Sequence, residues 1–431
     1  MATSQKEYQI HNIHNNKLQH QYETILVNQG GGSLGAYECG VCKVLAKYDI
    51  KFDIIAGTSI GGINAAILAS GYSKKYGIRD SVKTLENFWM DLAEKHPPLV
   101  FCSDKQRSEL AALNALLWGI PKAFTPIWIE RGGSPFYYFF NSPYLYDITR
   151  FKNTISKYVD FTKLQRRTGQ QQSEEGISSG SKRQQQNYYK DNKHDDAGDD
   201  GDYLPSRLIL TATNIQTGEP TTFDSNNMDI TIDHVMASAG YAVYGLPWTK
   251  INNNYFWDGS FIHNTPLKSV IKASPRYKKI AYISDVFPLK QEKLASNMPE
   301  TYHRVRDMLF HDTSIRLAEE TSDIVKKHIS LIEKMHEIIF EGNKENSPNY
   351  HHKNAKTKSQ LDEIKKEYND LVSNGLGVIL EKLIHIERKE SKGHRYIFED
   401  ADFSIATINK LIQDGEKDAE DALIRNKIIS K

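Results

Sequence analysis

The strongest constraint on the fold is a unit of strand, glycine-rich turn and helix that occurs twice near the start of the chain. The first strand is predicted at Glu23–Asn28 and the second at Phe52–Ala56, because both runs are largely apolar and contain β-branched residues. A glycine-rich turn follows each strand, at 30–35 and 57–61, and apolar residues at helical spacing follow each turn. This repetition predicts an α/β fold whose strands are mostly parallel.

The rest of the chain extends this sheet and covers it with helices. Further strands are predicted at Arg207–Thr213 and Lys279–Ser284, whereas residues 81–163 are mostly helical in pattern. We therefore predict a three-layer α/β/α domain over residues 22–290, with a central, mostly parallel sheet. A helical C-terminal extension is predicted over residues 291–431, where long apolar stripes recur at helical spacing.

Two segments are predicted to lie outside the packed domain. Residues 1–21 are polar and lack the apolar run of a secretory signal, so we interpret them as a polar leader. Residues 165–203 are dominated by Gln, Ser, Gly, Lys and Asp. So few apolar residues cannot offset the entropy lost on ordering, and we predict a disordered insertion in a surface loop.

Composition narrows the functional classes. The 55 basic and 54 acidic residues nearly cancel, which argues against a nucleic-acid-binding protein. Three cysteines are too few for a disulfide framework and favour a reducing, cytoplasmic location. Cys39 and Cys42 form a C-x-x-C, but no second ligand pair follows, so small semi-buried hydrophobic residues are the better interpretation. No metal or other cofactor is predicted.

The second glycine turn, Gly57–Gly61, has the pattern G-x-S-x-G around Ser59. A nucleophilic serine of this kind stands on a strained strand-to-helix turn, and small residues on either side let the backbone bend sharply. The helix that follows directs its first N–H groups at developing negative charge. Because glycine-rich turns match this pattern by chance, an inert serine in a helix-capping turn stays open from the motif alone.

The first glycine turn, residues 30–35, fits two kinds of anion site. Its G-x-G-x-x-G pattern is typical of dinucleotide binding, which also requires an acidic residue at the end of the second strand. That strand instead runs into Gly57 and Ser59. Consecutive glycine N–H groups also form a concave nest for an oxyanion. We favour the oxyanion loop because it uses both glycine turns at one edge of the sheet.

A carboxylate is the best candidate for the base that activates Ser59. Common α/β-hydrolases place their serine after several strands and follow it with Asp and His, whereas Ser59 follows only two predicted strands. The downstream histidines lie in helical, polar surroundings; they include His303, His311 and His328. Asp258, in contrast, ends a short predicted strand in the sequence Trp-Asp-Gly-Ser. Taken alone, it also fits an ordinary Asp-Gly turn.

Together, the G-G-G-x-x-G loop, the G-T-S-x-G turn and the later D-G turn resemble the patatin-like phospholipase family. His234–Gly240 is similar to the family's Ala-Ser segment, and Trp257–Pro266 is similar to its D-G…N-x-P segment. The tail, including Asp402–Thr407, resembles that of a prokaryotic subgroup with a longer C-terminus. The resemblance covers most of the chain from Tyr22 to Leu423, apart from the insertion.

This resemblance implies a Ser–Asp dyad, with Ser59 as nucleophile and Asp258 as proton acceptor. The oxyanion loop corresponds to Gly30, Gly31, Gly32 and Gly35, and the turns are shaped by Gly57, Gly61 and Gly259. The implied activity is hydrolysis of lipid esters, phospholipase A-like, in lipid degradation. The implied partner is a lipid or ester substrate, and peripheral contact with a membrane is left open.

The sequence departs from the family pattern at two positions. Leu34 stands where many members carry Arg or Lys, so the oxyanion would rely on backbone N–H groups. The third residue of the D-G-G or D-G-A turn is Ser260 here, a small change that should keep the turn. Leu34 and the large insertion leave open a non-catalytic lipid- or partner-binding protein with this fold. A nucleotide-dependent enzyme that uses Gly30–Gly35 is the third hypothesis.

The aromatic run Phe136–Phe140 has two interpretations. It could form a lip where lipid enters, but aromatic clusters belong more often to a core. The sequence therefore favours burial of this run.

Overall fold

The computed structural model describes residues 22–94, 103–166, 206–274, 278–291, 294–311, 314–341, 379–389 and 398–430, with short pieces within 359–366. The strands are β1 (Glu23–Asn28), β2 (Ile54–Thr58), β3 (Thr125–Pro126), β4 (Tyr146–Asp147), β5 (Arg207–Asn214), β6 (Pro220–Asp224), β7 (Thr249–Ile251), β8 (Asn254–Asp258), β9 (Lys279–Asp285) and β10 (Leu380–Glu387). The helices are α1 (Gly35–Lys47), α2 (Ile60–Ser70), α3 (Arg79–Leu92), α4 (Asp104–Trp118), α5 (Ile127–Arg131), α6 (Pro135–Asn141), α7 (Thr149–Tyr158), α8 (Ile232–Ala239), α9 (Leu267–Ala273), α10 (Met298–Phe310), α11 (Ser314–Glu341) and α12 (Ile405–Arg425).

Eight strands form the central sheet, in the order β10-β9-β1-β2-β5-β8-β7, with β6 also paired to β5. The five strands from β10 to β5 are parallel, whereas β6, β7 and β8 pair antiparallel. In the parallel part, Val27 lies between Ala56 and Ile283. Because parallel strands end at the same edge, the glycine turns that follow β1 and β2 become neighbours.

The two faces of the sheet build two hydrophobic clusters. Alternate residues of each inner strand face opposite sides, as the two-residue repeat of a strand requires. Leu26 and Ile55 belong to the cluster beneath α1 and α2. Ile25 and Ile54 belong to the other cluster, which α9 and the start of α11 cover. This arrangement confirms the predicted three-layer α/β/α fold.

Several local predictions agree with the structure. Strand β1 has the predicted bounds, a helix follows each glycine turn as predicted, and residues 81–163 are mostly helical where described. Both C-x-x-C cysteines are buried within α1, and burial raises their thiol pKa values, as expected of small core residues. The leader, residues 1–21, lies outside the described residues, as does almost all of the insertion, 165–203.

Two features differ from expectation. The aromatic run is exposed rather than buried: Phe136 and Phe140 on α6 are each 77% exposed. The C-terminal extension is largely helical where described, but it also contributes β10, an edge strand of the central sheet. The mixture of Leu and Ile with Lys, Glu and His in β10 suits a strand with one covered face. Because this short segment lies among helical patterns, its sequence did not indicate a strand.

The C-terminal extension packs closely on the main domain through α12 and α1. A Cβ atom on Gly40 would lie 1.9 Å from the carbonyl oxygen of Ile412, and one on Gly415 would lie 2.0 Å from that of Tyr37. The Tyr37 hydroxyl also donates a hydrogen bond to Asp418 across 3.3 Å. Helix α1 begins directly after the first glycine turn, so the extension helps to fix that turn. Within the described residues, no helix is long and apolar enough to cross a membrane.

Candidate active site

Ser59 lies in a strained turn between β2 and α2. Its φ of 56° and ψ of −129° are unusual for a residue with a side chain. The backbone is held there because the Ser59 N–H donates to both the carbonyl oxygen (3.0 Å) and the hydroxyl (3.1 Å) of Ser238. Strain of this kind persists only where surrounding contacts determine the conformation, and it is typical of functional sites.

Close backbone approaches explain the two glycines that flank Ser59. A Cβ atom on Gly57 would lie 2.1 Å from the carbonyl oxygen of Gly61. A Cβ atom on Gly61 would lie 2.5 Å from the carbonyl oxygen of Gln29, just before the first glycine turn. The G-x-S-x-G pattern therefore reflects the space that the sharp turn leaves, rather than a chance match.

Asp258 ends β8 next to Ser59 and is fully buried. One carboxylate oxygen, Oδ1, accepts a 2.8 Å hydrogen bond from the Ser260 N–H. The other, Oδ2, has no hydrogen bond of standard geometry to a described residue. The Ser59 hydroxyl is nevertheless close enough to lower the pKa of Asp258. We interpret this contact as looser than a standard hydrogen bond, as is common in ligand-free sites.

Burial dominates the acidity of Asp258. Loss of water raises the pKa of the carboxyl to about 6, against the lowering effects of Ser59 and of the Ser260 N–H. The turn that holds it is tight, because a Cβ atom on Gly259 would lie 2.4 Å from the carbonyl oxygen of Thr211. Asp258 is therefore ionised at neutral pH, yet it accepts a proton more readily than an ordinary aspartate.

The first glycine turn, which we call the glycine loop (Gly30–Gly35), meets Ser59 from β1. A Cβ atom on Gly30 would lie 2.9 Å from Cβ of Ser59, so the loop and the serine turn are in direct contact. The Gly30 N–H is occupied, since it donates to the carbonyl oxygen of Asn264. No described residue accepts a hydrogen bond from the N–H of Gly31 or Gly32, and both line the pocket beside Ser59.

The structure distinguishes the roles of the other predicted loop residues. Gly35 packs against Ile60 and is not among the residues that line the pocket. Leu34 is fully buried in the hydrophobic core, away from the pocket. Ile60 lies at the first position of α2, where a backbone N–H has no partner within the helix. Gly31, Gly32 and Ile60, which line the same pocket as Ser59, thus each have a backbone N–H with no acceptor among the described residues.

Two positioning residues were not among the predicted site residues. Ser238, on α8, holds the strained backbone of Ser59, and Asn264 ties the glycine loop to the chain after β8. The Asn264 side-chain amide donates to the carbonyl oxygens of Gly30 (3.3 Å) and Phe310 (3.0 Å). Ser238 and Asn264 lie in the two segments that resemble the family, His234–Gly240 and Trp257–Pro266. The motifs alone did not indicate the contacts that these side chains make.

A mostly apolar cavity opens above Ser59 and the glycine loop. It encloses about 880 Å³, part of it open to solvent. Apolar and aromatic residues from helices α2, α4, α7, α8 and α10, from strand β4 and from several loops form most of its wall: Ile60, Ile63, Leu116, Ala123, Phe124, Tyr146, Phe151, Ala239, Tyr241, Tyr244, Leu246, Phe287, Phe310, Ala401 and Phe403. Such a cavity suits an apolar ligand that reaches Ser59 with one polar group.

The raised pKa of Asp258 predicts that Asp258→Asn stabilises the protein at neutral pH. A folded pKa of about 6, above an unfolded value of about 3.9, means that the folded state holds the proton more tightly. The contribution of Asp258 to the free energy of unfolding should therefore fall by up to about 3 kcal/mol as the pH rises from about 4 to above 6. Asp258→Asn should remove this decrease in stability, because asparagine does not ionise.

Urea unfolding of wild type and Asp258→Asn at pH 4 and pH 8 measures this difference. At pH 8, we expect the free energy of unfolding of Asp258→Asn to exceed that of wild type by about 1–3 kcal/mol. The difference between the two proteins should be smaller at pH 4. A variant that is less stable than wild type at pH 8 contradicts the prediction.

Comparison with known proteins identifies a family for this chain. The family model described as patatin-like phospholipase matches residues 26–271, which include the glycine loop, Ser59 and Asp258. No curated protein matches the chain. A crystal structure of VipD from Legionella pneumophila aligns over 94% of this chain and 67% of that chain, at 12% identity and a TM-score of 0.34. A TM-score this low supports no conclusion about this chain. The family model, in contrast, covers more than half of the chain. The chain belongs to the patatin-like phospholipase family.

Proposed function

We propose that this protein is a serine acyl hydrolase that cleaves lipid esters, with Ser59 as nucleophile and Asp258 as the proton acceptor. The observation that carries the proposal is a strained serine beside a buried carboxylate oxygen that has no standard partner. Membership of a family of lipid hydrolases supports a lipid substrate. Phospholipase A-like cleavage, with release of a fatty acid, is the specific reaction that we favour.

The proposed reaction begins with proton transfer from the Ser59 hydroxyl to Asp258. The serine Oγ attacks the ester carbonyl carbon, and the carbonyl oxygen becomes negatively charged. The free N–H groups of Gly31 and Gly32, with that of Ile60, would donate to this oxyanion. The tetrahedral intermediate then collapses, the alcohol leaves with the proton from Asp258, and an acyl-serine ester remains.

The second half of the reaction uses the same groups with water. Asp258 accepts a proton from the attacking water, and the same N–H groups stabilise the second tetrahedral intermediate. Collapse releases the carboxylic acid and returns the proton to Ser59. A carboxylate suits this role although it is a weak base, because the oxygen of an ester leaves with less proton assistance than the nitrogen of an amide does.

Loss of either dyad residue should abolish activity without unfolding the protein. We expect Ser59→Ala and Asp258→Asn each to lower kcat for p-nitrophenyl butyrate by at least about 1,000-fold, as in other sites whose residues act as a unit. Asp53→Asn is the matched control, because desolvation also raises the pKa of the Asp53 carboxyl to about 6. Asp53 precedes β2, at the opposite edge of the sheet from Ser59.

Circular dichroism verifies folding of each variant, and a fluorophosphonate probe tests the nucleophile directly. Labelling of wild type but not of Ser59→Ala argues against the non-catalytic alternative. Substantial turnover by either dyad variant, or a loss of activity as large in Asp53→Asn, would falsify the dyad.

The pH profile should report ionisation of Asp258. Because the base must be ionised to accept the serine proton, kcat/KM should rise with pH around a midpoint of about 6 and level off above it. No histidine is among the described residues that line the pocket. The midpoint should therefore move little with temperature, as carboxylates do, rather than shift strongly as an imidazole does. A midpoint near the ordinary aspartate pKa of about 4 contradicts the proposed environment of Asp258.

Peripheral membrane contact and a cytoplasmic location are further parts of the proposal. Exposed aromatic residues on α6 support contact with lipid, because Phe136, Phe139 and Phe140 are 65–77% exposed. Tyr146, five residues after the end of α6, lines the pocket, which supports a position of this surface near the region where a lipid would enter.

Binding to phosphatidylcholine vesicles tests this contact. The double variant Phe136→Ser with Phe140→Ser should bind less in a pelleting assay and keep wild-type turnover of p-nitrophenyl butyrate. Tyr76→Ser, which removes an exposed aromatic residue elsewhere, is the control and should bind as wild type does. Unchanged binding of the double variant argues against the contact, and fractionation of cells that produce the protein tests the location.

A further inference from the structure

A short turn in the C-terminal extension lies directly against the glycine loop. We call Phe398–Asp402 the C-terminal turn. The Ser33 hydroxyl donates a 3.1 Å hydrogen bond to the carbonyl oxygen of Glu399. A Cβ atom on Gly32, whose φ is +57°, would lie only 2.3 Å from the carbonyl oxygen of Asp400. The loop and the turn are therefore in close backbone contact.

Buried ion pairs anchor the C-terminal turn. Arg388 Nη1 lies 2.6 Å from Glu399 Oε1, and Arg306 Nη1 lies 2.8 Å from Asp400 Oδ1. His303 Nε2 lies 3.0 Å from the second Glu399 oxygen. Burial alone would raise the pKa of Glu399, but the arginines and His303 outweigh it and hold that pKa well below its usual range. Glu399 is therefore a fixed anion within the fold.

The same turn also forms part of the pocket. Asp400 and Ala401 line the cavity, and the hydroxyl of Tyr244, which also lines it, donates a 2.8 Å hydrogen bond to Asp400 Oδ2. The family model ends at residue 271, so the turn, Arg306 and Arg388 all lie beyond it. The part of the chain that carries the family motifs thus does not complete the site alone.

We propose that the C-terminal turn is a positioning element that holds the N–H groups of Gly31 and Gly32 toward Ser59. The loop is held on one side by Asn264, at Gly30, and on the other side by the turn, at Gly32 and Ser33. This inference rests on the proposed function, because it assigns the loop as the oxyanion hole.

The proposed role predicts a specific effect on kcat and KM, because the oxyanion forms only as the reaction proceeds. Donors aimed at the oxyanion act mainly in the transition state, so a loosened loop should lower kcat and leave KM nearly unchanged. If the turn only supported the fold, its loss would lower the stability of the protein without this selective decrease in kcat. The kcat and KM effects therefore distinguish positioning from general support of the fold.

Ser33→Ala is the direct test, because it removes the loop's side-chain bond to the turn and leaves Gly31 and Gly32 intact. We expect kcat for p-nitrophenyl butyrate to fall about tenfold at constant KM, less than the 100- to 1,000-fold effect of deleting an oxyanion donor. Fluorophosphonate labelling of Ser59 should slow by a similar factor. Amide hydrogen exchange should become faster in peptides covering Gly30–Leu34.

Ser81→Ala is the matched control. Ser81 is also buried and its hydroxyl also donates to a backbone carbonyl, that of Ile78 at 3.0 Å, but it lies on α3. This variant should keep wild-type kcat, labelling rate and exchange in the glycine loop.

The outcomes separate this inference from the proposed function. The positioning role is wrong if wild type hydrolyses the ester and the kcat of Ser33→Ala is no lower than that of Ser81→Ala. It is also wrong if Ser33→Ala changes KM alone. If wild type neither hydrolyses esters nor reacts with the probe, the proposed function fails instead. In that case exchange still decides whether the turn holds the loop, and unchanged exchange in Ser33→Ala overturns the inference.

Discussion

The strained backbone at Ser59 is the constraint on which the rest of the site depends. A non-glycine residue at φ 56° and ψ −129° costs about 1–3 kcal/mol, so other contacts must hold it. Those contacts come from three elements: Ser238 bonds the Ser59 N–H, Gly57 and Gly61 allow the sharp bend, and Gly30 packs against Cβ of Ser59. The parallel pairing of β1 with β2 brings the elements together, because it sets the glycine loop and the serine turn side by side.

Burial of Asp258 couples reactivity to stability. The carboxylate lies in a water-poor position where only one oxygen has a standard hydrogen bond, and its pKa is therefore raised to about 6. The ionised form is disfavoured by the fold at neutral pH, yet it is the form that can accept a proton. A fully satisfied aspartate would stabilise the protein more and would be a weaker base. The site thus keeps a locally unfavourable charge, as stability and activity often require opposite arrangements.

Much of this architecture could be predicted from local patterns. The apolar runs of β1 and β2 and the glycine turns that follow them carry short-range signals, and the order of three motifs indicated the family. The exposed aromatic helix could not be predicted, because the composition of Phe136–Phe140 does not reveal which neighbours cover it. The contacts of the C-terminal turn were also beyond local patterns, since Arg306 and Asp400 are 94 positions apart in the chain.

The C-terminal extension acts on the glycine loop from both of its ends. The turn meets the loop at Gly32 and Ser33, while α12 packs on α1, which begins where the loop ends. Leu34, at the position where many family members carry a cation, is buried in the core and offers no donor to the pocket. In the proposed function, the loop would therefore bind the oxyanion through its backbone N–H groups alone. A loop with no side-chain donor directed into the pocket needs precise support, and in this chain much of that support lies outside the region that the family model matches.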